Sequence, residues 1–253
     1  MIEFDKVSKK SGILAKTAII AFFILFVFFL PFQKAVLHFF FPNEGSLIYP
    51  RYGLPVMFFQ HLLVVIISSS AATAIAVLLG IFATREPGKE FLPIIQDFTS
   101  FTQTFPPAAV LALAVPILGF GYEPTIAALF FFSLLPVVKN TISGIQSINP
   151  TIIESARGMG MSRLQLLTYI ELPLSVSVIM AGIRTSVIIN IGTATIGAVA
   201  GAGGLGAPII SGLIRDNQSY VLQGAIATAL FALTTDWALQ WAESKVTNKN
   251  AAS

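Results

Sequence analysis

The chain has no cysteine at all. That excludes a disulfide framework, a thiol redox pair and a thiolate metal site. Charge is also scarce, at 11% Asp, Glu, Lys and Arg in 253 residues, where soluble domains carry about 25%. Only two histidines occur, His38 and His61, with no metal-binding spacing between them. No G-x-x-x-x-G-K-[ST] stretch appears anywhere, so a phosphate-binding loop for ATP is missing. What remains abundant is oil: 55% of the residues are hydrophobic. The mean hydropathy is +0.81. Together these point to a lipid-embedded protein. The net charge of +3 fits cations retained on the cytoplasmic side of a membrane and gives no reason to invoke nucleic acid.

A helix needs about 20 apolar residues to cross the hydrocarbon. Six stretches qualify, near 17–33, 56–83, 91–118, 123–147, 168–198 and 219–241. The first follows Lys6, Lys9, Lys10 and Lys16 but ends in LPFQK without a small-x-small cleavage site, so it reads as a retained anchor. The expected fold is all-α, with six transmembrane helices and both termini in the cytoplasm. Eleven Lys and Arg then fall inside, including Arg85, Lys89, Lys139, Arg157, Arg163, Lys245 and Lys249, and three fall outside, Lys34, Arg51 and Arg215. Residues 1–16 form a cytoplasmic segment, 17–241 the membrane domain and 242–253 a short polar tail, read as frayed.

One stretch interrupts the oil: NPTIIESARGMGMSRLQLLTYIELP at 149–173. Asn149 is a suitable N-cap and Pro150 fits the first helical position. Gly158 and Gly160 end that helix. Ser162 with Gln165 forms a capping box for a second helix, expected to stop before Pro173. The plain alternative is an ordinary solvated loop whose charges aid orientation.

Other polar features lie within the spans. Arg184 sits inside the fifth, where a charge needs a partner; Asp97 and Asp236 are the candidates, giving either a structural ion pair or a polar path lining. The third span carries Gln103 and Thr104 before Pro106-Pro107, which must break the helix. Irregular backbone at that depth fits a cavity, with Asn190, Thr193 and Thr195 facing it from the fifth span, although such groups also simply bond between helices. Gly201-Ala202-Gly203-Gly204-Leu205-Gly206 reads G-x-G-x-x-G but follows a membrane span and lacks the acid of a dinucleotide site. Tight packing in a turn is the direct reading.

The polar stretch resembles a known family. Glu154-Ser155-Ala156, then Gly160, then Ile170-x-Leu172-Pro173, looks like the EAA motif (E-A-A-x3-G-x9-I-x-L-P) of membrane subunits of binding-protein-dependent ABC importers; six of seven positions agree, the departure being Ser155. Further stretches, ARGMGMSRLQLL at 156–167, MAGIR at 180–184, IGTATIGA at 191–198 and GAGGLG at 201–206, resemble the glycine betaine/carnitine/choline branch. The resemblance implies a type I importer permease in the bacterial inner membrane, not itself an enzyme. It implies two cytoplasmic ATPase subunits carrying ATP and Mg, a second permease subunit and a separate extracytoplasmic substrate-binding protein, with no cofactor on this chain. Glu154, Ser155, Ala156 and Gly160 would form the ATPase-contacting loop and its elbow, and Gly203, Gly204 and Gly206 part of an outer gate. An amino-acid permease, or a carrier or channel working without ATP, are the alternatives.

Overall fold

The structure is a computed structural model that describes the backbone of residues 2–251 and the side chains of residues 14–247. Lys6, Lys9, Lys10 and Lys249, which enter the charge count, have side chains outside the described residues. Every regular element among the described residues is helical. In chain order these are α1 (Ile2–Phe28), α2 (Leu30–Phe40), α3 (Leu54–Ala83), α4 (Leu92–Thr104), α5 (Pro107–Leu118), α6 (Tyr122–Gln146), α7 (Pro150–Gly158), α8 (Arg163–Gln165), α9 (Leu172–Thr193), α10 (Gly206–Arg215) and α11 (Gln218–Ala251).

Three helical runs are long and apolar enough to cross a membrane: Leu54–Ala83, Tyr122–Gln146 and Arg163–Ala200. Two more pass only as bent pairs, α1 with α2 at 100° and α4 with α5 at 94°. Both bends sit at proline. Pro31 opens α2 and Pro106-Pro107 separates α4 from α5, and a proline has no N–H with which to continue the preceding ladder. The last helix covers the expected 219–241 but falls short of the same test, its apolar run being cut by Gln223, Thr234, Thr235 and Asp236. It also continues to Ala251, so the tail after Trp241 is helical and does not fray there. Lys16 Nζ stands 5.6 Å over the Trp237 ring and Lys245 Nζ 4.3 Å over Trp241, contacts suited to a membrane interface.

The centre of the fold is a seam of α3, α6 and α9. Their backbones approach closely where side chains vanish: a Cβ on Gly182 would lie 2.6 Å from Asn140 Cβ, and one on Gly80 2.6 Å from Thr141 Cβ. Asn190, fully buried, donates its amide to Ser69 Oγ at 2.9 Å, and also to Ser68 and Ser133. Ser186 Oγ adds a bond to Ser133 O at 3.2 Å. A second, aromatic cluster joins α1, α3 and α11 through Phe23, Phe58 and Phe231. His61 belongs to this region and donates from Nε2 to Ile191 O at 2.9 Å. The segment between α2 and α3 is irregular but pinned to the start of α11: Tyr49 N donates to Gln223 Oε1 (3.0 Å) and Ser219 Oγ to Leu47 O (2.8 Å). Leu78, Ile94, Leu113, Ile117 and Phe120 are among the apolar side chains left outside, as a lipid-facing surface requires.

One detail links the bent pair to the seam. Pro136 lies inside α6 and cannot donate to the carbonyl four residues earlier, that of Phe132. Gln103 Nε2 at the end of α4 fills that vacancy at 2.9 Å, and Thr102 Oγ1 reaches Phe131 O at 3.1 Å. Replacing Gln103 with Leu leaves the carbonyl orphaned and is expected to cost about 1–2 kcal/mol. In a Pro136→Ala background the helix supplies its own donor, so most of that cost should vanish. Thermal unfolding of the two single variants and the double variant checks this; additive effects would refute the pairing.

Candidate functional site

The polar loop is built from local chemistry. Asn149 Oδ1 accepts from Thr151 N at 3.0 Å, and Pro150 occupies the first turn, where no N–H is needed. At the other end of α7, Gly160 takes φ +83°. Gly160 N donates to Arg157 O at 2.9 Å and Met161 N to Ala156 O at 3.2 Å, the paired bonds of a Schellman cap. The left-handed turn explains why glycine stands at 160. Ser162 then opens the next helix with the expected capping box: Gln165 N donates to Ser162 Oγ (3.3 Å) and Ser162 N to Gln165 Oε1 (2.8 Å).

The expected stop before Pro173 does not occur. α8 passes into a π-helical turn, Leu166–Glu171, and then directly into α9. Leu172 N donates to Leu167 O, five residues back. This wider turn shifts the ladder, so Pro173 falls in the first turn of the next helical segment, where its ring and missing N–H are tolerated. The second loop helix is therefore the near end of the long run Arg163–Ala200. Ile170, Leu172 and Pro173 are half-buried within it.

α7 stands out from the bundle. Glu154 and Ser155 are exposed, while Ala156 is 1% exposed and faces inward. At the foot of the elbow Glu171, 6% exposed, accepts from Arg85 Nη2 just past the end of α3. This pair joins residues 86 positions apart, a distance over which no spacing rule operates. In the sequence Glu171 is one of several polar groups in the 149–173 stretch, with nothing to mark Arg85 as its partner.

The remaining predicted residues divide. Arg184 pairs with Asp236 Oδ1 at 3.4 Å and with Glu243 Oε2 at 3.3 Å. Asp97 is exposed and joins none of the ion pairs among the described residues, so of the two proposed partners Asp236 alone is brought to Arg184. Glu243 was missed because it lay in the stretch read as a frayed tail. Asn190 is sealed in the helix seam, Gln103 serves the Phe132 carbonyl, and Thr104 is exposed with its hydroxyl on Ser100 O. Thr193 and Thr195 are half-buried, and Thr195 Oγ1 bonds back to Gly192 O at 2.7 Å. The hydrogen bonds of Gln103, Thr104, Asn190 and Thr195 stay within or between helices.

The glycine stretch follows a 3-10 turn, Ala194–Ala200, rather than a strand, so the dinucleotide geometry is not built. Gly203 and Gly204 take φ +70° and +67°. Gly204 N donates to Gln60 Oε1 at 3.1 Å, and a Cβ on Gly206 would meet Thr195 O at 2.0 Å. The turn borders a cavity of about 570 Å³ that also receives Tyr52, Gln60, Tyr122, Arg51 and Arg215.

Comparison with known proteins gives this geometry a family. Residues 76–248 match the family described as binding-protein-dependent transport system inner membrane component. The choline transport system permease protein OpuBB of Bacillus subtilis is 39% identical over 205 residues, 81% of this chain and 90% of that protein. The carnitine transport permease protein OpuCB of Listeria monocytogenes is 40% identical over 198 residues, 78% and 90%. The osmoprotectant import permease protein OsmY of Salmonella typhimurium is 40% identical over 182 residues, 72% and 77%. Among solved structures, a methionine ABC transporter in inward-facing form shares the fold with TM-score 0.63 at 18% identity, covering 76% of this chain and 93% of its own. A carrier or channel reading, with the polar loop as a mere connector, gives way to these matches. The chain belongs to the binding-protein-dependent transport system inner membrane component family and is the inner-membrane permease subunit of an ABC importer.

Proposed function

We propose that this permease moves a small quaternary amine, such as glycine betaine, carnitine or choline, into the cell by alternating access. The relatives named for choline, carnitine and osmoprotectant transport support the substrate class. The topology is six passes, with α1–α2 and α4–α5 each counting as one broken pass and α11 as the last, and with both termini inside. Residues 1–16 and 242–253 are then cytoplasmic flanks of a membrane domain at 17–241, with the 149–173 loop projecting inward.

The observation that carries the mechanism is α7: a capped, exposed helix fixed by a rigid elbow to a helix that runs without interruption into the bundle. A cytoplasmic ATPase holding ATP and Mg grips Glu154 and Ser155, with Ala156 seating the helix and Gly160 setting its angle. Two such ATPases act on two permease subunits, and a separate extracytoplasmic receptor delivers substrate to the end bearing Gly203, Gly204 and Gly206. Closure of the ATPases swings the loop with Ile170, Leu172 and Pro173 as one body. Arg184 with Asp236 and Glu243 acts as an interhelical tie, since a lone cation lining would repel a quaternary amine.

Three outcomes follow. Glu154→Lys should insert normally and lose co-purification with the ATPase; undiminished ATPase recovery would sink the docking assignment. Glu171→Gln should retain ATPase binding but lower stability by about 1–3 kcal/mol, because it strips the partner from a half-buried Arg85, and should reduce solute uptake per ATP hydrolysed. An unchanged uptake-to-hydrolysis ratio would show that the Arg85–Glu171 tie transmits nothing. Finally, the partner receptor should bind betaine, carnitine or choline by calorimetry; tight binding of an amino acid alone would overturn the substrate class.

A further inference from the structure

Just past α3 the chain hooks back on itself. Arg85 N donates to Phe82 O at 3.0 Å, and Gly88 N and Lys89 N both donate to Arg85 O, at 2.8 and 2.9 Å. Gly88 lies so close to the helix end that a Cβ there would sit 1.9 Å from Phe82 O. This hook and the elbow of the polar loop enclose a cavity of about 430 Å³. Its walls carry four cations, Arg85, Lys89, Arg157 and Arg163, against two carboxylates, Glu86 and Glu171.

The carboxylates are already taken. Glu171 accepts from Arg85, and Glu86 from Lys89 Nζ at 2.6 Å. Arg157 and Arg163 join none of the ion pairs among the described residues, and Arg85 Nε is buried without a hydrogen-bond partner. At the exposed rim the Glu86 carboxyl is held below its ordinary value, chiefly by the Lys89 hydrogen bond and charge, with smaller contributions from Arg163 and Arg157. Orientation of the chain in a membrane asks only that cations lie on one side; it does not ask that they share one concave site. Gathered like charges repel, and Arg157 and Arg163, unlike Arg85 and Lys89, gain no carboxylate partner in return among the described residues.

We propose that this cavity binds a phosphoryl anion. Guanidinium forks match the spacing of phosphate oxygens and donate in pairs. Arg157 and Arg163 come from the two sides of the elbow, and Arg85 and Lys89 add cationic side chains from the hook. The cavity opens at the rim where α3 ceases to be apolar, so the anion comes either from the headgroup of an anionic lipid or from soluble phosphate.

The full chain in nanodiscs, without its ATPase, tests this independently of the docking assignment. Native mass spectrometry in mixed phosphatidylcholine and phosphatidylglycerol discs reads retained phosphatidylglycerol. Equilibrium binding of labelled inorganic phosphate in phosphatidylcholine discs reads the soluble source. At least one probe should bind the native chain, and R157Q/R163Q should weaken it about tenfold or more. Selective phosphatidylglycerol retention identifies the headgroup; saturable phosphate binding identifies the soluble anion. Binding of neither probe, or equal binding by native chain and variant, overturns the proposal. Should R157Q/R163Q fail to insert, R157K/R163K keeps both charges and removes the forks. Affinity within about twofold of native for that variant would equally overturn it.

Discussion

Three apolar helices have no hydrophobic reason to associate in lipid, because a hydrocarbon tail is as apolar as a leucine. Contact among α3, α6 and α9 therefore has to come from close backbone approach and from polar groups with nowhere else to bond. Both are present on one seam. Glycines 80 and 182 leave no side chain between the helices, and Asn190 reaches Ser68 and Ser69 on α3 and Ser133 on α6 from its place on α9. Asn190 in the hydrocarbon without these serines would be costly, so the amide makes the alternative, separated helices, the worse state. Everything else in the fold is arranged around this seam: the aromatic cluster on one flank, the bent α4–α5 pair on the other, and the polar loop at one end.

The loop borrows its rigidity from that seam. Its first helix is closed at both ends by hydrogen bonds, and its second helix merges with α9. Glu171 then ties the base of the loop to the hook after α3. Two of the three seam helices are thus joined at the loop end by an ion pair and at mid-depth by Asn190. In the elbow the Schellman bonds and the capping box each fix a turn.

The parts of this arrangement legible in the sequence are those governed by short range. Asn149, Gly160, Ser162 and Gln165 act on backbone groups within a few residues, so their identities alone foretold the caps. The proline pair at 106–107 foretold a break for the same reason, though not its angle. What escaped were features set by remote partners or by a small change of pitch. The rule that a helix stops before proline failed at Pro173 because the π turn rearranged the ladder. Arg85 found Glu171, and Gln103 found the carbonyl orphaned by Pro136, across separations where no periodicity applies. Polarity in a span has two meanings, lining and glue, and the sequence alone does not reveal that Asn190 is buried against three serines.

That last distinction bears on where the fold can yield. If α3, α6, α9 and the loop are bound into one body, the elements left to move are those joined to it by few directional bonds. The α4–α5 pair fits this description. It folds at 94° over a proline pair whose first residue cannot be helical in the ordinary sense, and it is held to α6 by the side chains of Gln103 and Thr102 on the carbonyls of Phe132 and Phe131. Those bonds sit beside Pro136, where the α6 ladder is already open. A hinge needs contacts that can re-form when the chain bends, and a side-chain amide with free torsions meets that need better than a backbone ladder does. In an alternating-access cycle the rigid seam would carry the push and the broken helix would accommodate it, so Pro106 and Pro107 at the break and Pro136 inside α6 belong to one joint.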